Sequence, residues 1–155
     1  MVTRSKDWLV LGGFILLSYA VAALGALATA DNVRGWYATA DKPAFTPPNW
    51  LFGPVWTVLY LLIGIAGWVF WMRRDRLGLW LWAAQLLLNL AWTPAFFALR
   101  WLWPAFAVIL LLDVAVAVAL VRLYRIRKAA ALLFAPYLAW ILFASLLNAG
   151  VASLN

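Results

Sequence analysis

The chain has 155 residues, of which 68% are hydrophobic and 11% charged; a soluble domain is about 45–50% apolar and about 25% charged, so a soluble globular fold is excluded and the class is integral membrane. There is no Cys, no His and no Glu, which removes disulfides, thiolate metal sites, imidazole ligands and the usual general base. The formal charge of +7 sits in cations placed between apolar runs, a pattern of topology and lipid-headgroup contact rather than of nucleic-acid binding.

Apolar runs of about 20 residues are spanning-helix candidates, and five occur: Trp8–Ala30, Leu51–Met72, Leu77–Leu99, Pro104–Tyr124 and Ala129–Val151. Helices satisfy their own backbone in lipid, so the expected fold is a single all-α membrane domain over residues 1–155, a bundle of five transmembrane helices. The first run carries Arg4 and Lys6 before it and Ala26-Leu27-Ala28 near its end, as a signal peptide would. Its apolar stretch exceeds the about 7–15 residues of a signal h-region, which points to a retained helix. Within it Ser18, Ala22 and Ala26 recur every fourth residue, a small stripe suited to close helix contact, although an Ala-rich helix shows such stripes by chance.

The connection from Ala30 to Trp50 is unusually long and is loaded with Trp36, Tyr37, Phe45, Pro43, Pro47 and Pro48. Flexible linkers are Gly/Ser-rich; proline stiffens this one. Asp31 or Asn32 is placed to N-cap a short helical turn through Trp36 and Tyr37, and the Pro43 and Pro47-Pro48 steps impose extended backbone. Two readings follow: a lid folded over one mouth of the bundle, rings inward, or an aromatic belt at headgroup level. The belt also accounts for Trp8, Trp71, Trp80, Trp82, Trp101 and Trp103 near helix ends.

In the second run Trp56 and Tyr60 share a face. In the third, Gln85, Asn89 and Thr93 form a polar stripe flanked by Trp92 and Phe96, and Pro94 is placed to kink the helix. Asp113 falls near the middle of the fourth run, where an ionised carboxylate costs about 2.5–3.5 kcal/mol; with no second acid in any span, a structural or interface role fits better than a proton relay. In the fifth, Pro136, Trp140, Ala144 and Asn148 make a row with Tyr137 beside it. Facing these rows together makes an indole-walled pocket for flat apolar ligands; alternatively Gln85, Asn89 and Asn148 are interhelical hydrogen bonds that hold the bundle. Charge sets the orientation. Arg4, Lys6, Arg73, Arg74, Arg76, Arg122, Arg125, Arg127 and Lys128 fall on one face and Arg34, Lys42 and Arg100 on the other, so the positive-inside rule places the N-terminus in the cytoplasm of a plasma membrane.

The chain resembles the TspO/MBR family, the translocator protein or peripheral-type benzodiazepine receptor family. The resemblance covers nearly all of it and rests on Trp36-Tyr37, then Lys42-Pro43-x-Phe45-x-Pro47-Pro48. It continues through Pro54-x-Trp56-Thr57-x-Leu59-Tyr60, then Gln85-x-x-x-Asn89-x-x-Trp92-Thr93-Pro94-x-Phe96-Phe97, then Pro136-Tyr137-Leu138-x-Trp140 with Asn148. It implies a five-helix bundle, often a homodimer in membrane lipid, whose first loop closes a cavity for tetrapyrroles such as protoporphyrin IX, sterols and synthetic benzodiazepine-type ligands. Carried over, the tetrapyrrole site takes Trp56 and Trp140 as paired indoles, with Tyr37 and Pro47 from the loop and Asn89 from the third helix. Trp36, Tyr60, Trp92, Tyr137 and Ala144 complete the candidate site, and Arg34 and Lys42 are candidates for propionate contact at its mouth.

The expected function is thus a receptor- or sensor-like tetrapyrrole-binding membrane protein, with no required cofactor and no nucleic-acid partner. The tetrapyrrole is a ligand, or the substrate of a light-dependent breakdown in which Trp56 and Trp140 act as catalytic electron donors and the pigment supplies the chemistry. A transporter is the third reading, though no inverted repeat is visible. Without His or Cys, iron ligation falls to Tyr or Met, so metal-free porphyrin is expected. The sterol motif that animal members carry at the end of the fifth helix has no counterpart in Asn148–Asn155, which holds neither Tyr nor Arg, and the loose match at Val121–Arg125 is on the wrong helix. The compact chain points to a member in a bacterial cell envelope.

Overall fold

A computed structural model describes residues 5–155. Among them the chain forms six α-helices rather than five: α1 (Ser5–Arg34), α2 (Trp36–Thr39), α3 (Phe52–Met72), α4 (Arg76–Phe97), α5 (Leu102–Ile126) and α6 (Ala135–Leu154). Short 3-10 turns, Asn49–Leu51 and Lys128–Leu133, lead into α3 and α6. The five long helices correspond to the five apolar runs, and α2 is the addition. Four stretches are long and apolar enough to cross a membrane: Ser5–Arg34, Asn49–Met72, Leu102–Ile126 and Lys128–Leu154. Helix α4 has sufficient length but is diluted by Arg76, Gln85, Asn89 and Thr93 and by three tryptophans.

The expected cap at Asp31 or Asn32 is not used. Helix α1 runs past Ala30 to Arg34, and within it the Asn32 side-chain amide donates to the Ala28 carbonyl at 3.1 Å. Gly35 breaks the run and stands before α2 without a side-chain cap. The irregular part of the connection therefore shrinks to residues 40–48. Helix α4 runs through Pro94 and ends at Phe97, short of the expected Leu99, and Arg100 turns the chain at φ 55°.

Helix α1 packs on α3 and α4, α4 on α5, and α5 on α6. The helices alternate in direction, and two contacts mark the ends. At one, Arg122 of α5 grips Asp75 before α4, with Arg122 Nε donating to Oδ2 at 2.9 Å and Nη2 to Oδ1 at 2.6 Å. The same carboxylate caps α4 through the Gly78 N–H at 3.0 Å. The Arg122 bond holds the Asp75 carboxyl below its ordinary value, against a smaller opposing effect of burial. At the other end, the Asn155 amide donates to the Asp41 carbonyl at 2.8 Å and accepts from the Asp41 N–H at 3.2 Å. Arg4, one of the two N-terminal cations, lies outside the described residues.

The turn after α3 is a Schellman motif: Asp75 N–H reaches the Phe70 carbonyl at 2.9 Å and Arg74 N–H the Trp71 carbonyl at 3.0 Å. Its left-handed residue is Arg74, at φ 52°, where glycine is usual. Inside the bundle, Tyr137, Phe70, Phe134, Ile63 and Ile109 are fully buried. Trp82 lies across α3 with its indole N–H on the Ile63 carbonyl at 2.8 Å. Gly67 makes that possible, since a Cβ there would stand 2.6 Å from the Trp82 ring. The outer surface is apolar, with Leu9, Leu16, Leu87, Leu111, Val114 and Leu146 exposed, as a lipid-facing surface requires.

Candidate ligand cavity

A cavity of about 420 Å³ opens between α1, α2, α3, α4 and α6, within the usual range of about 300–1,000 Å³ for small-molecule sites. Of the candidate residues, Tyr37, Trp56, Tyr60, Asn89, Trp92, Trp140 and Ala144 all line it. Each comes from a different turn of its helix, spaced so that the side chains converge. Trp56 and Tyr60 are one turn apart on α3, with ring centroids 5.6 Å apart. Trp140 and Ala144 are one turn apart on α6, and Phe52 packs edge-on to Trp140 at 5.7 Å. On α4, Trp92 is fixed by its indole N–H bonding Asn148 Oδ1 at 2.9 Å, and it stacks on Phe96 at 5.7 Å.

Trp36, Pro47, Tyr137, Arg34 and Lys42 are not part of the lining. The Trp36 indole donates to the Phe97 carbonyl at 2.6 Å and receives Arg100 over its ring, so it pins α2 to the end of α4. Tyr137 lies fully buried behind the wall, edge-on to Trp56 at 6.3 Å. Lys42 Nζ donates to the Tyr37, Ala38 and Ala40 carbonyls, closing the C-terminus of α2, and lies over the Tyr37 ring at 4.8 Å. Tyr37 is nonetheless a wall residue; burial pushes its phenol above the ordinary value, so it is a donor at neutral pH.

The polar residues divide between the two roles that the sequence left open. Asn148 is glue: its amide donates to the Leu102 carbonyl at 2.8 Å while its oxygen holds Trp92, tying α6 to α5 and α4. Gln85 is also glue, accepting from the Tyr137 hydroxyl at 2.6 Å. Asn89 does both, lining the cavity and donating to Tyr137 Oη at 3.2 Å. Asp113, also buried, accepts from Ser145 Oγ at 2.7 Å.

Sequence reasoning missed the contribution of α1. Ala22, Gly25, Ala26 and Thr29 form one wall opposite the indoles, with Tyr19 below. The stripe of Ser18, Ala22 and Ala26 was the signal: Ser18 is fully buried, while the two alanines leave the room that the cavity occupies. Gly53 and Thr57 extend the wall on α3; a Cβ on Gly53 would meet nothing within 4 Å.

The 40–48 connection packs along α6 and its C-terminus. Pro43 seats on Gly150, where a Cβ would stand 2.2 Å from Pro43 Cγ, and Phe45 packs on Phe143 at 6.1 Å.

Helices with an apolar exterior around an aromatic cavity define the class as an integral membrane protein. The model of the TspO/MBR family matches residues 14–154, and the chain belongs to that family. It is 44% identical over 148 residues, covering 91% of this chain and 94% of the relative, to the Tryptophan-rich protein TspO of Archaeoglobus fulgidus. It is 38% identical to the Translocator protein of Sus scrofa, covering 93% and 89%. To the Tryptophan-rich sensory protein of Cereibacter sphaeroides it is 35% identical, covering 97% and 94%.

Proposed function

We propose that this chain is a receptor- or sensor-like membrane protein that binds tetrapyrroles such as protoporphyrin IX, and other flat apolar molecules, between the indoles of Trp56 and Trp140. The observation that carries the reading is the cavity itself. Its walls are mostly rings and small side chains, its polar groups are few, and among the described residues no charged side chain lines it. Such a site rewards stacking and tolerates only sparse hydrogen bonding. The name of one relative, a sensory protein, agrees with a sensor role. In this reading all five long helices span the membrane, the N-terminus is cytoplasmic, and residues 40–48 act as a lid. Acidic substituents of the ligand meet Arg34 at the outer rim, because Lys42 is engaged by α2.

Titration with protoporphyrin IX, followed by tryptophan fluorescence, tests the reading. Saturable quenching that weakens in Trp140→Ala and Trp56→Ala supports it, and its absence overturns it. Replacing Pro47 and Pro48 by Gly tests the lid, for which a faster ligand off-rate is expected.

A second reading has its own observation: both candidate electron donors, Trp56 and Trp140, face the same cavity. Illumination of the bound pigment separates the two. Loss of pigment absorption that Trp56→Phe and Trp140→Phe abolish marks an enzyme, and stable binding in light marks a receptor.

A further inference from the structure

A second concavity shares no lining residue with the ligand cavity. It is an open groove of about 350 Å³ between α1 and α4, lined by Phe14, Arg76, Leu79, Trp80, Trp82 and Ala83. Its floor is fixed. The Trp82 indole is held on the Ile63 carbonyl at 2.8 Å, and the Phe14 ring packs edge-on against it at 4.8 Å. Neither ring is free to rise and fill the space.

The groove is charged at one end only. Arg76, the first residue of α4, is exposed, and among the described residues it forms no ion pair. Arg73 and Arg74, just before it, are exposed as well. The acids at this end of the described residues are Asp7 and Asp75, and Asp75 is held by Arg122. Trp80, 75% exposed, stands one helical turn further along α4, as aromatic residues do at headgroup level. Beyond it the lining is apolar. From Arg76 to Ala83 is seven residues, roughly 10 Å of helix, which fits within the hydrocarbon of one leaflet, about 15 Å deep.

We propose that this groove binds an anionic phospholipid of the surrounding membrane, its phosphate on Arg76 and an acyl chain over Phe14, Leu79, Trp82 and Ala83. Basic pockets between helices at a membrane face recognise acidic headgroups, and here the cation and the apolar trough are joined end to end. Charge decides against a second copy of this chain as the occupant. A twofold contact brings one patch against itself, so the arginines of two copies would converge with no carboxylate in the groove between them. A phosphate neutralises them instead. The proposal rests on α4 spanning the membrane and not on what the ligand cavity binds.

The test is photolabelling of the full chain in phosphatidylcholine bilayers. These are doped with phosphatidylglycerol carrying a diazirine on its acyl chain, or with phosphatidylcholine carrying the same label, and labelled positions are read by peptide mass spectrometry. Label from both lipids at Leu87, 66% exposed further along α4, reports that the helix stands in lipid, independently of the site. At Leu79 and Ala83 phosphatidylglycerol is expected to label at least about fivefold more than phosphatidylcholine, the affinity that one cation near a membrane surface supplies. Arg76→Gln should remove about that much of the preference, and Arg127→Gln, outside the groove, should leave it intact. Equal labelling by the two lipids overturns the proposal. An equal loss in both variants overturns it too, because the attraction is then diffuse surface charge. So does suppression of the labelling by inorganic phosphate, which marks a site for the free anion. Absence of label from either lipid at Leu79 and Ala83 marks a covered face, as between two copies, and also overturns it.

Discussion

Tyr137→Phe is the cleanest probe of what the buried polar network is worth. Tyr137 is fully buried, so phenylalanine keeps the ring, its edge contacts with Phe134 and Trp56, and the packing volume. Only the hydroxyl is lost, and with it two hydrogen bonds, at 2.6 Å to Gln85 and 3.2 Å from Asn89. In a soluble core, two groups left unpaired would cost about 1–3 kcal/mol each. In a membrane bundle the unfolded reference also finds partners, and measured bonds average about 0.6 kcal/mol. Asn89 has the cavity beside it, and it sits one turn from Gln85 on the same helix face, close enough to bond it directly. The expected destabilisation is therefore about 1 kcal/mol. Equilibrium unfolding in bicelles, with reversibility established, measures it. A loss above about 3 kcal/mol would refute the reasoning, because it would show that Gln85 and Asn89 cannot re-pair. No loss at all would show that the hydroxyl was never engaged.

Three further outcomes are expected. The Asp75 carboxyl is held below its free value by Arg122, so its contribution to stability is complete above the unfolded carboxyl pKa of about 3.9. It is lost as pH falls from there through the lowered folded value. Arg122→Gln should flatten the acid limb of a pH–stability curve without changing its shape near neutrality. Gly150→Ala places a Cβ 2.2 Å from Pro43 Cγ; overpacking of this kind costs about 1–3 kcal/mol, and hydrogen exchange should show residues 40–48 opening faster. Arg74→Gly removes the strain of a left-handed arginine in the Schellman turn. It should raise stability by about 1 kcal/mol, read from the same unfolding measurement.

The long helices were legible because lipid leaves the backbone few alternatives: an apolar run of sufficient length becomes a helix, and its limits follow. The convergence of Trp56, Asn89, Trp92 and Trp140 was legible from spacing, since residues four apart share a face. What sequence could not supply was the reach of individual side chains. Lys42 reads as a cation at a mouth, yet its flexible stem lets it fold back onto the carbonyls of α2. Trp36 reads as a ring for a ligand, yet its N–H finds the Phe97 carbonyl first. Asn32 reads as a cap, yet its amide is satisfied one turn back inside α1. In each case a polar group chose a nearby backbone partner, a competition that spacing does not record. The wall on α1 was missed for the opposite reason: alanine and glycine mark a site by the space they leave.

Helix α5 contributes nothing to the cavity lining. Yet its inward face, Ala105, Ile109, Leu112, Val116, Ala119 and Leu123, is among the most deeply buried in the molecule, and it grips α4 and α6 along their length. If the cavity holds a ligand as proposed, α5 serves the core without touching it, while α3, α4 and α6 serve both core and cavity. On the proposed reading, substitutions at lining positions of α1, α3, α4 and α6 would retune what the cavity accepts while the inward face of α5 is left unchanged. Conversely, reinforcing the seams of α5 offers a way to harden the protein against detergent without altering the shape that a ligand meets. A family whose relatives share this division has room to diversify in selectivity at small cost in folding.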